Sequence, residues 1–345
     1  MAGTATRDAP DWTEPGLFTV APGVHRIPLP LPNDGLRAVN VYAIEAGDDL
    51  VLIDAGWALE GAAELLGAAL ARIDRGLPEI TRCLVTHIHR DHYTLAMVLR
   101  RRFGTKVALG IGDKPSLDLV STGQRATMTA HLDRLRLYGG DAVARAITGF
   151  AAGQPHEADI WEQPDEWLEG QLTVRLTGRD LLAVPTPGHT QGHVVFADIE
   201  RHLLFAGDHV LPRITPSIGF EAAYAEQPLG DYLRSLRLMF EMPDLTLLPA
   251  HGPVAGSTHA RVQELLAHHE DRLAASRARV VAGATTAFEA AQALPWTRRR
   301  GHFDDLDPFN QMMAVFETGV HLDLLAAQGQ IRRGATARLI SYQPL

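Results

Sequence analysis

The stretch Thr86-His87-Ile88-His89-Arg90-Asp91-His92 places three imidazole side chains and one carboxylate within six positions. Imidazole nitrogen and carboxylate oxygen are the ligands that zinc-like ions take in catalytic sites. The apolar residues Cys83-Leu84-Val85 lead directly into this stretch, which predicts a buried strand that ends in a ligand-bearing loop. The pattern therefore predicts a metal site at the end of a strand.

The composition indicates a chain with a sizeable core and an acidic surface. With 345 residues, 46% of them hydrophobic, it is long enough for one large domain and a smaller one. A net charge of −9 argues against a general nucleic-acid binder. Cys83 is the single cysteine, so no intrachain disulfide can form. Since we find neither a signal-type N-terminus nor a run of about eighteen apolar residues, we expect no membrane span and a cytoplasmic location.

Four further motifs place a ligand-type side chain at the end of a predicted strand. Strand ends hold side chains rigidly, and the Gly and Pro residues in these motifs allow tight turns there. The motifs are Asp54-Ala55-Gly56, Pro187-Gly188-His189-Thr190, Ala206-Gly207-Asp208-His209 and Pro249-Ala250-His251-Gly252.

The order of predicted elements indicates an α+β fold. Short β-rich runs and helical stretches alternate, and the strand–helix–strand order occurs in both halves of the chain. This predicts an αββα sandwich of two sheets packed face to face, with helices outside. The pattern over residues 111–168 predicts a helical insertion that forms a lid. Its Arg125, Arg134 and Arg136 are candidates to hold an anionic carrier.

The chain turns helical from residue 258, which predicts a catalytic domain over 16–257 and a C-terminal domain over 258–345. Thr286 and Asp307 predict helix N-caps, and three helices followed by a hairpin indicate a winged-helix module. The predicted third helix, residues 310–328, has no Lys or Arg, so nucleic-acid binding is not expected. We expect the module to pack on the catalytic domain or to form a homodimer.

The ordered motif series resembles the metallo-β-lactamase superfamily over residues 20–255, and the last part of the chain resembles the winged-helix tail of such hydrolases. The resemblance implies two divalent ions, Zn²⁺ with Fe or Mn as alternatives, held by two groups of ligands and one bridging carboxylate. The first group is His87, His89 and His189, the second is Asp91, His92 and His251, and the bridge is Asp208. Asp54 would support the site without binding a metal.

The same resemblance suggests a chemistry. β-Lactamases of this superfamily usually carry Cys where Asp208 stands, whereas an oxygen ligand matches the glyoxalase-II-like hydrolases. We therefore expect a hydroxide held by two metal ions to cleave a thioester or related activated acyl compound. Asp91 is expected to accept the proton, and His209 is a weaker acid/base or oxyanion candidate. An endoribonuclease of the β-lactamase-like type and a lactone hydrolase remain the alternatives.

Three aromatic residues are candidates for the pocket that receives a small-molecule substrate. Tyr93 follows the ligand cluster, at a position where many members of the superfamily have Gly. Phe220 and Tyr224 lie in the long segment after Asp208. If all three line the pocket, they limit how far substrates of known relatives can be carried over to this chain.

Overall fold

A computed structural model describes residues 11–32, 35–150, 160–296 and 301–345. Its strands form two large sheets and one hairpin. The first sheet contains β1 (Phe18–Ala21), β2 (Val24–Pro30), β3 (Ala38–Ala46), β4 (Asp49–Ile53), β5 (Ile80–Leu84), β6 (Lys106–Gly110) and β7 (Glu166–Leu168), in that order. The second contains β8 (Leu172–Leu176), β9 (Arg179–Pro185), β10 (Val194–Asp198), β11 (Leu203–Gly207) and β12 (Thr246–Pro249), also in chain order. The hairpin pairs β13 (Arg332–Ala335) with β14 (Ile340–Gln343).

Helices cover the outer faces of the sheets and build the C-terminal part of the chain. They are α1 (Ala62–Leu70), α2 (Arg90–Phe103), α3 (Lys114–Ser121), α4 (Gln124–Leu137), α5 (Asp141–Phe150), α6 (Pro228–Leu238), α7 (Thr258–Val281), α8 (Ala287–Gln292) and α9 (Pro308–Ala327). Among the described helices, none combines the length and the apolar composition needed to span a bilayer.

The two sheets pack face to face around a shared apolar layer. Tyr42 of β3 meets Phe205 of β11 with ring centroids 5.4 Å apart, and Leu84 and Phe196 lie in the same cluster. α1 and α2 bury their apolar faces against the outer side of the first sheet, while α6 and α7 cover the second. The prediction of a mixed α and β fold, with helices outside two sheets, is confirmed.

The predicted insertion differs from the structure in extent and packing. Its helices, α3 to α5, end at Phe150, residues 151–159 lie outside the described part, and β7 is a strand of the first sheet. Leu135 and Tyr138 of the insertion share one apolar core with Val315 and Phe316 of α9. The insertion is thus not a separate lid over the described residues, because its apolar face is buried in a core that it shares with the C-terminal helices.

The C-terminal helices begin where the local sequence predicts. The Thr286 side chain accepts a hydrogen bond from the Glu289 N–H at 3.1 Å, and the Asp307 carboxylate accepts one from Asn310 N–H at 3.0 Å. Glu289 departs from a standard capping box, since its carboxylate accepts from Thr285 N–H at 2.7 Å. α7 packs on the second sheet through Val262, so the predicted boundary at residue 258 does not separate two hydrophobic cores.

The ends of β5, β9, β11 and β12 bring four of the predicted motifs to one region of the molecule. The turn after β11 depends on Gly207, which has φ +50°, and where a Cβ would lie 2.6 Å from the Thr86 hydroxyl. A side chain there would push the Asp208 motif away from the Thr86–His92 stretch. The tight turn therefore fixes the distance between the two.

Candidate metal centre

Seven of the predicted site residues meet in two adjoining groups whose ligand-type atoms lie within 4.8 Å of one another. The groups are His87, His89, His189 and Asp208, and Asp91, His92 and His251. This is the set that the motif series predicted. The cluster is therefore capable of binding metal ions.

Backbone and side-chain partners set the tautomer of four of these imidazoles. The acceptors of their Nδ1–H groups are the Thr86 hydroxyl for His87 at 3.0 Å, the Asp54 carboxylate for His92 at 2.8 Å, the Ser217 carbonyl for His189 at 2.7 Å and the Ala38 carbonyl for His251 at 2.8 Å. Nε2 is then the ring nitrogen that each of them directs into the cluster. Such partners are the usual means by which proteins orient metal-binding histidines.

His89 presents the opposite nitrogen. Its Nδ1 lies 3.0 Å from His87 Nε2 and 3.0 Å from His189 Nε2. Four ligands arranged tetrahedrally at zinc distances stand roughly 3.3 Å apart. Three converging nitrogens at this spacing match the geometry of a metal site, because neutral imidazole lone pairs repel one another unless a cation lies between them.

Asp208 has one carboxylate oxygen near each group. Oδ2 lies 3.5 Å from His189 Nε2, and Oδ1 lies 3.4 Å from His251 Nε2 and 3.8 Å from His92 Nε2. Asp91 Oδ2 completes the second group at 3.3 Å from His251 Nε2 and 3.6 Å from His92 Nε2. The carboxylate of Asp208 thus directs one oxygen at each of the two groups.

The ligand-type atoms of the cluster are arranged to bind metal ions rather than to form hydrogen bonds with one another. His92 Nε2, His251 Nε2 and Asp208 Oδ1 are buried without a hydrogen-bond partner among the described residues. A buried polar atom without a partner costs about 1–3 kcal/mol, and these three point at the same space. Bound cations would satisfy all of them.

Asp54 supports the cluster from beneath. Its Oδ1 accepts the Thr86 N–H at 2.7 Å, and its Oδ2 accepts His92 Nδ1–H at 2.8 Å. The residue adopts φ +58°, which is strained for a side chain other than Gly. The strain is maintained because this conformation aims one carboxylate at both the ligand loop and the ring of His92. The predicted supporting position of Asp54 is therefore where the structure places it.

Charge divides the cluster into two halves. Burial lowers the pKa of His89 to about 3 and that of His189 to about 4, so both are neutral lone-pair donors at neutral pH. Burial also opposes a charge on His92, but the carboxylates of Asp54, Asp91 and Asp208 outweigh it and raise its pKa to about 10. The field of these carboxylates favours positive charge at this half, which a divalent ion also supplies.

Two buried residues that the sequence analysis did not single out hold the ligand loops. Asp113, just after β6, accepts the Ile88 N–H and the Gly192 N–H at 2.8 Å each. His193 stacks on His87 with ring centroids 5.1 Å apart, and its Nε2 accepts the Asp208 N–H at 3.2 Å. An acidic residue after a buried strand was a signal for Asp113, as it was for Asp54, and His193 lies four residues beyond His189.

His209 does not join either ligand group. The ring is fully buried and packs edge-on against Tyr232 at 5.4 Å. Burial lowers its pKa to about 3, and neither ring nitrogen reaches a hydrogen-bond partner among the described residues. A ring with no exposed surface that lies outside both ligand groups is not accessible to substrate, so the acid/base role predicted for His209 is not supported.

Two of the three predicted pocket aromatics have structural roles instead. Tyr93 is fully buried, its hydroxyl donates to the Glu162 carbonyl at 2.6 Å, and its ring is parallel to that of Trp161. Phe220 stacks on His131 at 4.6 Å and belongs to the core shared with the C-terminal helices. Both predictions fail because the rings face neighbouring elements rather than open space.

Tyr224 does line a cavity. The cavity has a volume of about 460 Å³ and lies beside the turn that carries His189. Its polar lining includes Gln191, Glu221, Tyr224, Glu226, Gln227 and Asp231. Gln191 is two residues from His189, and Gly112 of the lining precedes Asp113, which accepts the Ile88 N–H of the ligand loop, so the cavity borders the segments that carry the cluster.

The match to known proteins agrees with this geometry. A model of the metallo-beta-lactamase superfamily matches residues 34–251, which include both ligand groups. The chain belongs to this superfamily. This superfamily of metallo-hydrolases accounts for the His and Asp cluster.

Individual relatives extend the match beyond the family model. The chain is 26% identical to the probable metallo-hydrolase YqjP of Bacillus subtilis over 318 residues, covering 89% of this chain and 92% of that one. It superposes on a beta-lactamase domain protein from Burkholderia ambifaria with a TM-score of 0.78 and 26% identity, covering 95% and 94% of the two chains. The likeness thus includes the C-terminal helices.

A fungal relative carries a more specific name. The chain is 27% identical to the atrochrysone carboxyl ACP thioesterase of Aspergillus fumigatus over 247 residues. The match covers 70% of this chain but only 45% of the fungal protein, so the chain spans about half the length of that relative.

Proposed function

We propose that this protein is a two-metal hydrolase that cleaves a thioester or a related activated acyl compound. The observation that carries the proposal is the position of Asp208, an oxygen ligand with one carboxylate oxygen near each ligand group. A hard oxygen donor at this position is the feature of glyoxalase-II-like hydrolases, whereas β-lactamases of the superfamily usually carry Cys. The thioesterase among the relatives supports the same substrate class.

In this proposal His87, His89 and His189 hold one ion, Asp91, His92 and His251 hold the other, and Asp208 bridges them. Two bound divalent cations, for which Zn²⁺ suits the imidazole-rich donor set, would polarise the acyl carbonyl and lower the pKa of a water molecule.

The chain itself supplies orientation and a proton acceptor. Ser217, Ala38 and Asp54 each accept an Nδ1–H and thereby hold a ring in place. Asp91 has the most accessible carboxylate of the cluster, with 14% of its side chain exposed against 9% for Asp208. The nearby imidazoles hold the pKa of Asp91 well below its usual range despite its burial. Asp91 is thus an anion, and its exposed fraction rather than its basicity qualifies it as the proposed proton acceptor.

The C-terminal part, residues 258–345, is proposed to be a winged-helix-like module with a structural role. Its three helices and hairpin have the expected order. α9 is buried along most of its length and carries Glu317 and Asp323 but no Lys or Arg, so it offers no cationic face to a phosphate backbone. This argues against the endoribonuclease alternative.

A substrate panel tests the function. The protein, reconstituted separately with Zn²⁺, Mn²⁺ and Fe²⁺, is assayed on acyl-thioesters, lactones and single-stranded RNA. We expect thioester hydrolysis to exceed lactone hydrolysis, and we expect no RNA cleavage. Cleavage of RNA or lactones without thioester turnover would show the proposal to be wrong.

The ligand assignment is tested by Asp208→Ala with Asp180→Ala as control. Asp180 is an exposed carboxylate at the start of β9, the end of that strand opposite to the His189 motif. Because even the partners behind metal ligands contribute 10–100-fold, loss of the bridge should lower turnover by more than about a hundredfold. Elemental analysis should show two ions per chain in the control and fewer than one in Asp208→Ala, and normal metal content in both would contradict the bridging role.

A further inference from the structure

The cavity beside His189 has a polar lining that is free of Lys and Arg among the described residues. Glu221 is only 4% exposed, yet it lines this space. Its Oε1 accepts the Ser116 hydroxyl at 3.0 Å and the Gln191 N–H at 3.2 Å, which leaves Oε2 without a hydrogen-bond partner among the described residues. Oε2 is therefore the oxygen of this carboxyl that can bind a polar group in the cavity.

The Tyr224 wall of the cavity is held by a chain of hydrogen bonds that begins in the C-terminal part. The Tyr138 hydroxyl donates to Asp323 Oδ2 at 2.7 Å, because a carboxylate can only accept. The Tyr138 oxygen is 2.8 Å from the Tyr224 hydroxyl, so Tyr224 is the donor of that bond. The position of the Tyr224 ring is therefore linked through Tyr138 to α9.

Asp323 is itself fixed by the C-terminal hairpin. Its Oδ1 accepts Arg333 Nε–H at 2.7 Å and the Tyr342 hydroxyl at 2.9 Å. Three donors on one buried carboxylate leave it a single orientation. When the Tyr342 hydroxyl is removed, Arg333 still holds Oδ1, so the link from the hairpin to the cavity wall runs through Arg333 and Asp323.

Arg134 of α4 holds the same wall from the other side. Its guanidinium lies 3.6 Å from the centre of the Tyr224 ring, and its Nη1 donates to the Gly219 carbonyl at 2.9 Å. This buried cation binds the protein's own loop, and Arg136 pairs with Asp133. The side chain of Arg125 lies outside the described part. The predicted role of Arg134 and Arg136 in holding an anionic carrier is thus replaced by structural contacts.

The lining determines what the cavity can accept. The carboxylate of Glu226 disfavours a negatively charged group. Asp231 is paired with Arg234 and accepts a hydrogen bond from the Gln191 amide. The side-chain oxygen of Gln191 and the amide of Gln227 can bind polar groups. A group that bears hydroxyls or amides satisfies this lining and the free oxygen of Glu221. Since Gln191 is two residues from His189, a group bound here can belong to a substrate whose carbonyl lies at the metal cluster.

We propose that this cavity is the recognition pocket for the acyl part of the substrate, which is an uncharged acyl group bearing hydroxyls or amides. Asp323 is the positioning residue that holds its Tyr224 wall. The inference rests on the proposed acyl hydrolase function. It makes the C-terminal part a determinant of specificity, because the wall depends on a carboxylate from α9.

The test compares Tyr224→Phe, Asp323→Asn and Tyr342→Phe. Tyr224→Phe and Asp323→Asn break the series of hydrogen bonds that leads to the cavity. Tyr342→Phe removes a hydroxyl that bonds the other oxygen of Asp323, Oδ1, and serves as the matched control. Substrates are the N-acetylcysteamine thioesters of 3-hydroxyhexanoic acid and of adipic acid, which have the same length. The amide analogue of the hydroxy substrate serves as a non-hydrolysable probe for binding calorimetry.

We expect the native protein to prefer the hydroxy thioester. Tyr224→Phe and Asp323→Asn should raise KM for it, and the Kd of the amide, about fivefold, the equivalent of one lost hydrogen bond. Neither should change kcat by more than about twofold, because the metal cluster is untouched. Tyr342→Phe should leave both constants within about twofold, even where it lowers Tm as much as Asp323→Asn does.

Distinct outcomes separate this inference from the proposed function. Amide binding without any thioester turnover would refute the function and keep the pocket. Thioester turnover with unchanged KM and Kd in Tyr224→Phe and Asp323→Asn would refute the pocket and keep the function. Equal preference for the adipoyl thioester, or an equal KM increase in Tyr342→Phe, would also overturn the inference.

Discussion

At the scale of single residues, a metal-binding side chain is predictable when its chemistry and its position in a motif coincide. The seven ligand-type residues were found because imidazoles and carboxylates follow predicted strands. Asp113 and His193 were missed because their role depends on which backbone N–H groups they meet in space. His209 and Tyr93 were misjudged for the same reason, since the direction in which a side chain faces is a property of packing rather than of the motif.

Glu221 makes the stability of the protein depend on pH. Burial, assisted by the charge of Asp113, raises its pKa to about 8 from an ordinary value of 4.5. In the folded state it therefore stays protonated between these values, while in the unfolded state it is ionised. The unfolded state binds fewer protons in this window, so stability falls as pH rises, by at most about 1.4 kcal/mol per pH unit for this one group.

Urea unfolding at several pH values between 4.5 and 8 measures this slope. We expect Glu221→Gln to remove this contribution, so that its slope lies above the native slope by up to about 1.4 kcal/mol per pH unit. Asp113, whose pKa burial raises to about 6, and the buried histidines with lowered pKa values contribute equally to both proteins. Glu226→Gln, an exposed carboxyl of the same cavity, should retain the full slope. An unchanged slope in Glu221→Gln would contradict the assignment.

At the scale of elements, local signals predict where helices begin, and they do not predict what the helices pack against. The N-caps at Thr286 and Asp307 are confirmed because capping depends on residues three positions apart. The packing of α4 and α5 against α9 was not predicted, since it joins segments about 180 residues apart along the chain, such as Tyr138 and Asp323. The apolar face of a helix predicts that the helix is buried, but it does not predict which element covers it.

Gly319 shows how closely these helices approach. A Cβ at this position of α9 would lie 2.5 Å from the Tyr138 ring. Gly319→Ala should destabilise the protein by about 1–3 kcal/mol through overpacking, which outweighs the gain of roughly 1 kcal/mol in helix propensity.

Gly67→Ala provides the control for that substitution in an urea unfolding experiment. Gly67 also lies inside a helix, α1, but a Cβ there would have its nearest neighbour, Leu77, at an ordinary 3.4 Å. We expect this variant to gain about 0.5–1 kcal/mol. Equal effects of the two substitutions would contradict the close approach of α9 to Tyr138.

At the scale of the whole molecule, hydrophobic cores extend across residue 258, the predicted boundary between the two domains. The sandwich of two sheets was predictable from the alternation of elements, but the core formed by insertion and C-terminal helices depends on long-range contacts. Homodimer formation and a cytoplasmic location stay predictions.

Calorimetry tests this continuity. Because α7 packs on the second sheet and α9 packs on both the insertion and the α6 layer, we expect the metal-free full chain to unfold in one cooperative transition. Two resolved transitions, one of which disappears when residues 258–345 are deleted, would show that the C-terminal part is an independent unit.

The core that joins the insertion to the C-terminal helices also limits how this protein could have diverged from its relatives. A gene rearrangement that exchanged residues 258–345 alone would leave Leu135 and Tyr138 facing side chains to which they are not adapted. We therefore expect residues 114–150 and residues 258–345 to change together in evolution. Grafting experiments between members of the superfamily would have to transfer both segments to move a substrate preference intact.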